Sequence, residues 1–231
     1  EIKKAFIQFA DQVPFYGSVI ICADEPGAAA LIPHLRRSVI TYGLSEGADV
    51  RALNPEYNQM HAHFSLTVRG ENRGGLDLNL PGLHNVKNAL AAVAVAEELK
   101  INFEAVRRGL AKFHGVERRF EIKGEAQGIM VVDDYAHHPT EIKATLAAAK
   151  RGWDRRVIAV FQPHLYTRTR DFAADFGVSF GEADVLIVTG VYAARELPIP
   201  GVSGELVVAA ARSAGHSQVH YIQDQTTILS E

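Results

Sequence analysis

The regular alternation of strand-like and helix-like segments in the second half of the chain most constrains what it can fold into. From Phe120 onward, short apolar runs rich in β-branched residues alternate with longer segments whose apolar residues recur at helical spacing. This alternation predicts parallel strands joined by crossover helices, which form an open α/β layer. The predicted strands are 120–123, 129–132, 157–161, 185–188 and 218–222, and the predicted helices are 140–150, 168–180 and 203–213.

The first half of the chain combines the same pattern with a hairpin. Alternating apolar residues at 60–68 and 76–80 predict two antiparallel strands. Arg73-Gly74-Gly75 between them predicts the turn. The other elements predicted here are strands at 19–24 and 38–42 and helices at 28–37, 85–99 and 103–113.

Length and charge bound the number of domains and the class of partner. At about 150 residues per domain, 231 residues and a change of composition near Gly115 predict two domains, 1–115 and 116–231. A net charge of −3 provides no overall basic field, so we expect no nucleic-acid partner. The longest apolar run, 89–96, is shorter than the roughly 20 residues that cross a bilayer, so we expect no membrane partner. The single cysteine suits a reducing compartment, so we expect a cytoplasmic protein of unknown oligomeric state.

Two unusually polar loops follow the strands predicted at 129–132 and 157–161. In open parallel sheets, ligands bind beyond the carboxyl ends of the strands. Carboxylates, imidazoles and guanidinium groups at that edge favour a ligand with hydroxyls and phosphates. Helix-start chemistry accounts for Pro139 and Glu141. The remaining polar residues are Asp133, Asp134, Tyr135 and His137 in the first loop, and Gln162, His164, Arg168 and Arg170 in the second.

Two further groups of residues each have a functional and a structural interpretation. His84 and Asn88, four residues apart on a predicted helix, can hold a purine edge. In the structural interpretation, Asn85 is an N-cap and Asn88 is an exposed polar residue. Arg118 and Arg119 either carry solvated charge at a domain junction or reach a phosphate across a hinge.

Some common site motifs are absent from the sequence or have weak support. There is no G-x-x-x-x-G-K-[ST], no G-x-G-x-x-G and no G-x-S-x-G. His61 and His63 share one face of a predicted strand, where they are either a metal pair or a solvated edge. We favour the solvated edge because neither cysteine nor carboxylate stands at ligand spacing nearby in the sequence.

Seven short motifs occur along most of the chain. They are PFYG at 14–17, TYG at 41–43, ADVRA at 48–52, PGLHNVKNALAA at 81–92, GVERRFE at 115–121, DDYAHHPTE at 133–141 and FQPHLYTRTRDF at 161–172. Taken together, these motifs resemble those of the Mur ligases, the ATP-dependent enzymes that build the peptide of bacterial peptidoglycan. FQPH-x-YTRTRDF is the most discriminating part of the combination.

The resemblance implies both a fold and a reaction. The implied fold is part of the central Mur-ligase ATPase domain, followed by a Rossmann-like, open and mostly parallel α/β C-terminal domain. The implied reaction joins UDP-N-acetylmuramate to L-alanine at the expense of ATP, with Mg²⁺ and through an acyl phosphate. A recycling member of the same family that acts on murein peptides is the alternative.

The resemblance also assigns roles to single residues. Leu165 departs from members that carry a basic residue there, which leaves one substrate contact open. His138, His164 and Arg170 match the motif and are interpreted as structural support. The implied nucleotide contacts are His84 and Asn88 for adenine, Arg119 for the phosphates, and Asp134, with Asp133 as a second candidate, for the ribose. Tyr135, His137 and Arg168 are implied at the nucleotide-sugar substrate, and Arg119, His137 and Arg168 are the candidate catalytic residues.

The resemblance further implies that parts of the enzyme lie outside this sequence. The phosphate loop, the domain that holds the UDP-sugar and the Mg²⁺ ligands are expected upstream, and the C-terminal end at 229–231 is expected to be cut. We therefore expect no turnover by residues 1–231 alone. Two interpretations from other classes are a non-catalytic nucleotide-binding module and a metal-dependent hydrolase. The hydrolase would use Asp133, Asp134, His137 and His138 as metal ligands.

Overall fold

The computed structural model describes residues 1–230 and divides into two compact units. The first unit is Glu1–Gly115 and the second begins at Val116. The predicted second domain ends at residue 231, which lies outside the described residues. Across residues 1–230, none of the helices has the length and apolar character needed to cross a membrane.

The first unit is a five-stranded mixed sheet with helices. The sheet order is β1-β2-β3-β4-β5, in which the pairs among β1, β2 and β3 are parallel and those among β3, β4 and β5 are antiparallel. A 3₁₀ turn at Ile32–His34 lies between α2 and β2. The elements are α1 (Ile2–Asp11), β1 (Ser18–Cys22), α2 (Pro26–Ala29), β2 (Ser38–Gly43), β3 (Val50–Asn58), β4 (His61–Val68), β5 (Glu71–Leu78), α3 (Leu83–Glu98) and α4 (Phe103–Lys112).

The core of the first unit lies between the sheet and α3. The predicted alternation in β4 buries Phe64 and Leu66 fully, and α3 contributes Val86 and Leu90 to the same cluster. Strand β1 ends at the buried Cys22, which has 9% of its surface exposed. Alternating residues on the strands and helically spaced residues on α3 therefore meet in one core, as their periods predict.

Two predictions for the first unit are wrong in detail. The helix predicted at 28–37 is broken into α2 and the 3₁₀ turn. Pro33 explains the break, because a proline inside a helix lacks the amide donor and clashes with the preceding turn. The hairpin is confirmed, but its turn is at Arg69-Gly70, with φ of 49° and 81°. Positive φ at both turn residues matches the tight connection of a twisted hairpin.

Strand β3 was not predicted from the sequence, and its proline explains why. It contains Pro55, and proline inside a run of residues argues against a regular strand. The structure accommodates the proline with a register shift between Leu53 and Glu56, where Asn54 has a φ of 48°. A bulge of this kind keeps the strand in the sheet without a continuous hydrogen-bond ladder.

The second unit combines a small parallel sheet with an antiparallel hairpin. Strands β8, β9 and β10 are parallel, in the order β10-β9-β8, while β6 and β7 pair antiparallel. A 3₁₀ turn at Gln225–Ser230 follows β10. The elements are β6 (Glu121–Ala126), β7 (Ile129–Asp133), α5 (Pro139–Gly152), β8 (Ile158–Phe161), α6 (Tyr166–Asp171), α7 (Ala173–Gly177), β9 (Val185–Thr189), α8 (Gly204–Ser213) and β10 (Val219–Ile222).

The predicted mixed α/β class with mostly parallel strands is confirmed, with two corrections in this unit. The first two predicted strands are not parallel members of the main sheet, because a turn at Gln127-Gly128, with φ of 52° and 78°, folds them into a hairpin. The helix predicted at 168–180 is two short helices, α6 and α7. Phe172 lies between them outside the helical region, with its ring packed against the core of the unit.

Candidate functional site

A polar cleft of about 380 Å³ lies in the second unit, where the two polar loops meet. The loop after β7 supplies one side of this cleft, and the loop after β8 supplies the other. Arg118 reaches the cleft from the segment before β6. The other polar side chains that line it are Asp134, Tyr135, His137, Gln162, His164 and Tyr192.

The start of helix α5 fixes the end of the first loop. His138 is the N-cap, and its Nδ1 accepts a hydrogen bond from the Thr140 amide at 3.3 Å. Glu141 completes a capping box, because its Oε2 accepts from the amides of His137 and His138 at 3.0 and 3.1 Å. The N-cap hydrogen bond of His138 is consistent with the structural support predicted for this residue.

Glu141 is also the nearest charged partner of Arg119. Burial raises the pKa of Glu141, but the hydrogen bonds from the two loop amides and the charges of His137 and Arg119 outweigh it and leave the pKa below its usual value. The Arg119 guanidinium lies 3.4 Å from Glu141 Oε1, and the Arg119 side chain is about half exposed. The exposed half of the Arg119 side chain is therefore accessible to a ligand. The contact with Glu141 orients the guanidinium.

Both carboxylate oxygens of Asp134 accept hydrogen bonds from backbone amides. Oδ2 accepts from the Phe120 amide at 2.9 Å and Oδ1 accepts from the Ala136 amide at 2.8 Å. These bonds tie the loop to the segment before β6. Because each ionised oxygen has more than one acceptor position, Asp134 can still receive a ligand hydroxyl.

Tyr135 and His137 form an aromatic edge of the cleft. Their rings meet edge to face at 4.9 Å, and the Arg118 guanidinium lies 4.7 Å above the Tyr135 ring. His137 Nδ1 is 2.8 Å from the Tyr135 carbonyl oxygen. Because a carbonyl only accepts, Nδ1 carries a proton, and Nε2 is the nitrogen available to exchange one.

The second loop is held by the chain that follows β9. The Tyr192 amide donates to the Pro163 carbonyl at 2.8 Å, and the Leu165 amide donates to the Tyr192 carbonyl at 2.9 Å. Leu165 has φ 71° and ψ 134°, a conformation that residues with a side chain rarely adopt. Such a conformation persists where neighbouring contacts impose it, and here the two bonds to Tyr192 do so.

Arg168 lies in the first turns of α6, close to His164. Its Nη1 is 3.2 Å from His164 Nδ1. The His164 ring is stacked on Tyr192, with ring centres 5.6 Å apart, and lies 5.9 Å from the His137 ring. His164 was interpreted from the sequence as structural support and Tyr192 was not singled out, although both follow the carboxyl ends of parallel strands, where ligand sites are expected.

Helix α3 of the first unit carries the two residues assigned to adenine. His84 lies in its first turn, and Asn88 is exposed on its surface. The structural interpretation of Asn85 as N-cap is wrong, because Gly82 occupies the cap with a φ of 86°. Asn85 instead donates to the Pro81 carbonyl at 2.8 Å and lies 3.4 Å from the Asn88 amide nitrogen.

Lys87 on the same helix is a polar contact that the sequence did not reveal. Its Nζ lies 3.0 Å from Glu25 and 3.5 Å from Asp24. Burial lowers the pKa of Lys87, but the two carboxylates outweigh burial and leave the pKa raised. Lys87 is therefore a charged link between α3 and the end of β1.

The residues proposed as metal ligands are engaged in other contacts. Asp133 lies 3.4 Å from the Arg118 Nε, and the other three hold the loop as described above. His63 pairs with Asp77 at 2.7 Å on an exposed surface, so its partner comes from the neighbouring strand and not from His61. Among residues 1–230, no three His, Cys, Asp or Glu side chains are grouped to hold a metal ion.

Two family profiles match the chain, one in each unit. Residues 1–96 match the Mur ligase middle domain, and residues 118–231 match the glutamate ligase domain of Mur ligases. The two profiles follow each other in the same order as the two units.

The chain is similar over nearly its whole length to curated proteins named UDP-N-acetylmuramate–L-alanine ligase. The protein from Salinibacter ruber is 52% identical over 98% of this chain and 48% of its own length. The protein from Geotalea daltonii is 47% identical over 99% of this chain and 50% of its own length. The chain thus spans about half the length of the curated relatives it matches.

A solved structure shares the fold. The crystal structure of the UDP-N-acetylmuramate-alanine ligase of Thermotoga maritima superposes with a TM-score of 0.73 at 26% identity. The superposition covers 92% of this chain and 44% of that chain.

Proposed function

The chain belongs to the Mur ligase family, and from this premise we propose that its complete protein joins UDP-N-acetylmuramate to L-alanine at the expense of ATP. The observation that carries the proposal is the similarity of nearly the whole of this chain to about half the length of curated proteins named as ligases of that specificity. The polar cleft supports it, because a ligand with phosphates, hydroxyls and a carboxylate suits the arginine, the two imidazoles and the carboxylate that line it.

The proposed reaction has two steps. The carboxylate of UDP-N-acetylmuramate attacks the γ-phosphate of ATP, which releases ADP and leaves an acyl phosphate. The amine of L-alanine then attacks the acyl carbon, forms the amide and releases phosphate and a proton. Because no covalent bond to the protein is needed, the side chains act by positioning the reactants and stabilising charge.

We assign the nucleotide to residues that offer matching groups. Asn88 presents an exposed carboxamide, which donates and accepts as an adenine edge requires, with His84 beside it on α3. Asp134, with Asp133 as the second candidate, is proposed at the ribose hydroxyls. Arg119 is proposed at the phosphates.

We assign the reacting end of the sugar nucleotide to Tyr135, His137 and Arg168. The aromatic edge formed by Tyr135 and His137 can pack against the substrate, and His137 Nε2 can accept a proton. Arg168 can pair with a carboxylate or phosphate in two-point fashion.

The described residues fit ATP but not a complete magnesium site. No three His, Cys, Asp or Glu side chains that could together hold Mg²⁺ are grouped among residues 1–230. When bound, Mg²⁺ would neutralise charge on the ATP phosphates. We therefore assign its ligands to parts of the complete protein outside this sequence.

A test with the purified complete protein separates this proposal from its family alternative. ATP-dependent phosphate release should require both UDP-N-acetylmuramate and L-alanine, and mass spectrometry should detect the amide product. If L-alanine gives no product and a murein peptide does, the recycling reaction is the correct one. If neither amine supports ATP consumption, the ligase proposal fails.

A further inference from the structure

We propose that His164, which lines the cleft, is a positioning residue, whose neutral imidazole accepts a hydrogen bond from Arg168 and fixes the orientation of that guanidinium. The catalytic meaning of this contact rests on the proposed function of Arg168, but the contact itself is a property of the second unit. The inference gives a role to a residue that the sequence motif alone left as structural support.

The chemistry of the two side chains fixes the direction of the hydrogen bond. Arg168 Nη1 and His164 Nδ1 are 3.2 Å apart. A guanidinium has donors and no acceptor, so His164 Nδ1 has to be the acceptor. The imidazole must then be neutral, with its single proton on Nε2.

The surroundings of His164 hold its ring in the orientation that this bond requires. The ring is stacked on Tyr192, with an angle of 25° between the ring planes. Pro163 and Leu165, on either side of His164, form backbone hydrogen bonds with Tyr192. Leu165 is held at a positive φ by the same contacts, so the backbone around His164 has little freedom to turn.

The charged groups that face His164 favour the neutral form. Burial lowers the pKa of His164 first, and the positive charge of Arg168 and the nearby His137 lower it further. Glu196 acts in the opposite direction, but it is occupied at the start of α6, where it accepts hydrogen bonds from the Thr167 amide and hydroxyl. The acceptor at Nδ1 is therefore present at neutral pH.

Protonation of His164 would place two donors and two positive charges against each other. Arg168 would lose its acceptor and move away from the position it holds in the neutral state. Because the pKa of His164 is below its ordinary value, this loss should occur only on the acid side of that value.

Nuclear magnetic resonance on the present chain of 231 residues tests the contact without any ligase activity. Nitrogen shifts of His164 should indicate the Nε2–H tautomer at neutral pH, and acidification should change the Arg168 guanidinium signal at the same midpoint as the imidazole. A proton on Nδ1, or titration that leaves Arg168 unaffected, would overturn the proposal.

Kinetics of the complete protein test the consequence. His164→Asn keeps an acceptor near the position of Nδ1, and His164→Leu removes it. We expect His164→Leu to lower kcat/KM for the sugar nucleotide about tenfold or more, with the KM for ATP nearly unchanged, and His164→Asn to recover most of the loss and to lack the His164 acid limb of the pH profile. His220→Leu, at an exposed histidine of β10, is the matched control.

The outcomes distinguish this inference from the proposed function. If murein peptide replaces L-alanine as substrate, the same variants are compared in that reaction, and the inference is judged there. Equal impairment of the Asn and Leu variants, or no impairment of a stable Leu variant, refutes it. Should the Leu variant not fold, the magnetic resonance titration of the unaltered chain decides.

Discussion

Asp134 and Asn88 differ in how much of their hydrogen-bonding capacity the folded chain already uses. Asp134 satisfies two backbone amides, whereas the Asn88 carboxamide is exposed and its amide nitrogen has only a long contact to Asn85. Replacing a side chain that accepts hydrogen bonds from backbone amides should lower the free energy of unfolding. Replacing an exposed carboxamide should mainly change the affinity for a ligand.

Replacement of Asp134 by Asn should therefore destabilise the second unit. One carboxylate oxygen becomes an amide donor that faces a backbone amide, so a hydrogen bond is replaced by an unfavourable contact. We expect a loss of about 1–3 kcal/mol in the free energy of unfolding, measured by urea denaturation. Asp154→Asn, at an exposed aspartate of the same unit, should have little effect, and equal stability of the two variants would contradict the structural role of Asp134.

Replacement of Asn88 by Ala in the complete protein should raise the KM for ATP. Loss of about 1–3 kcal/mol of hydrogen bonding corresponds to roughly a tenfold to hundredfold increase, with unfolding unaffected because the side chain is exposed. Asn58→Ala, at the exposed end of β3, is the control. Unchanged ATP kinetics in the Asn88 variant would remove this residue from the nucleotide site.

At the scale of helices and strands, the sequence was most informative where periodicity and packing agree. The β4–β5 hairpin and helices α3 and α4 were predicted because their apolar residues follow the period of the element that buries them. Strand β3 and the division of 168–180 were not predicted, because a bulge at Pro55 and the non-helical Phe172 are stabilised by neighbours from other parts of the fold.

The candidate site was predictable in composition but not in contacts. Polar residues after two predicted strands indicated where the cleft would form. The same sequence could not indicate that the support for His164 comes from Tyr192, which reaches it from the end of a different strand. Contacts between loops depend on how the whole sheet is assembled, and no local pattern encodes them.

The capping box of α5 should make the stability of the second unit depend on pH through Glu141. The pKa of Glu141 is lowered in the folded chain, so its contribution is complete above its ordinary value of 4.5 and is lost as the pH falls through the lowered value. Glu141→Gln should be less stable by about 0.5–2 kcal/mol at neutral pH, and the difference should shrink in acid.

Urea unfolding of both proteins across that pH range provides the measurement. Glu182→Gln, at an exposed glutamate of the same unit, serves as the control. A constant difference between the Glu141 variant and the unaltered chain at every pH would show that the charge of Glu141 does not contribute.

At the scale of the whole molecule, the chain contains two separate cores and one group of candidate residues in each unit. The adenine candidates belong to the first unit, and the phosphate, ribose and sugar-nucleotide candidates belong to the second. Curated relatives are about twice as long as this chain. The proposed reaction therefore belongs to the complete protein.

The 231 residues alone should give no ligase turnover, because they contain no glycine-rich phosphate loop. Phosphate release should stay at the level without enzyme when ATP, UDP-N-acetylmuramate and L-alanine are supplied together. The complete protein, assayed in parallel, is the positive control. Alanine-dependent phosphate release by the isolated chain would contradict this expectation.

The burial of Cys22 at the end of β1 has a practical consequence, because it is the sole cysteine of the chain. Burial slows the reaction of a thiol reagent with Cys22 until the first unit opens, and the second unit carries no thiol that would react in its place. The rate of alkylation of Cys22 therefore reports how often the first unit opens, and no cysteine has to be introduced by mutation.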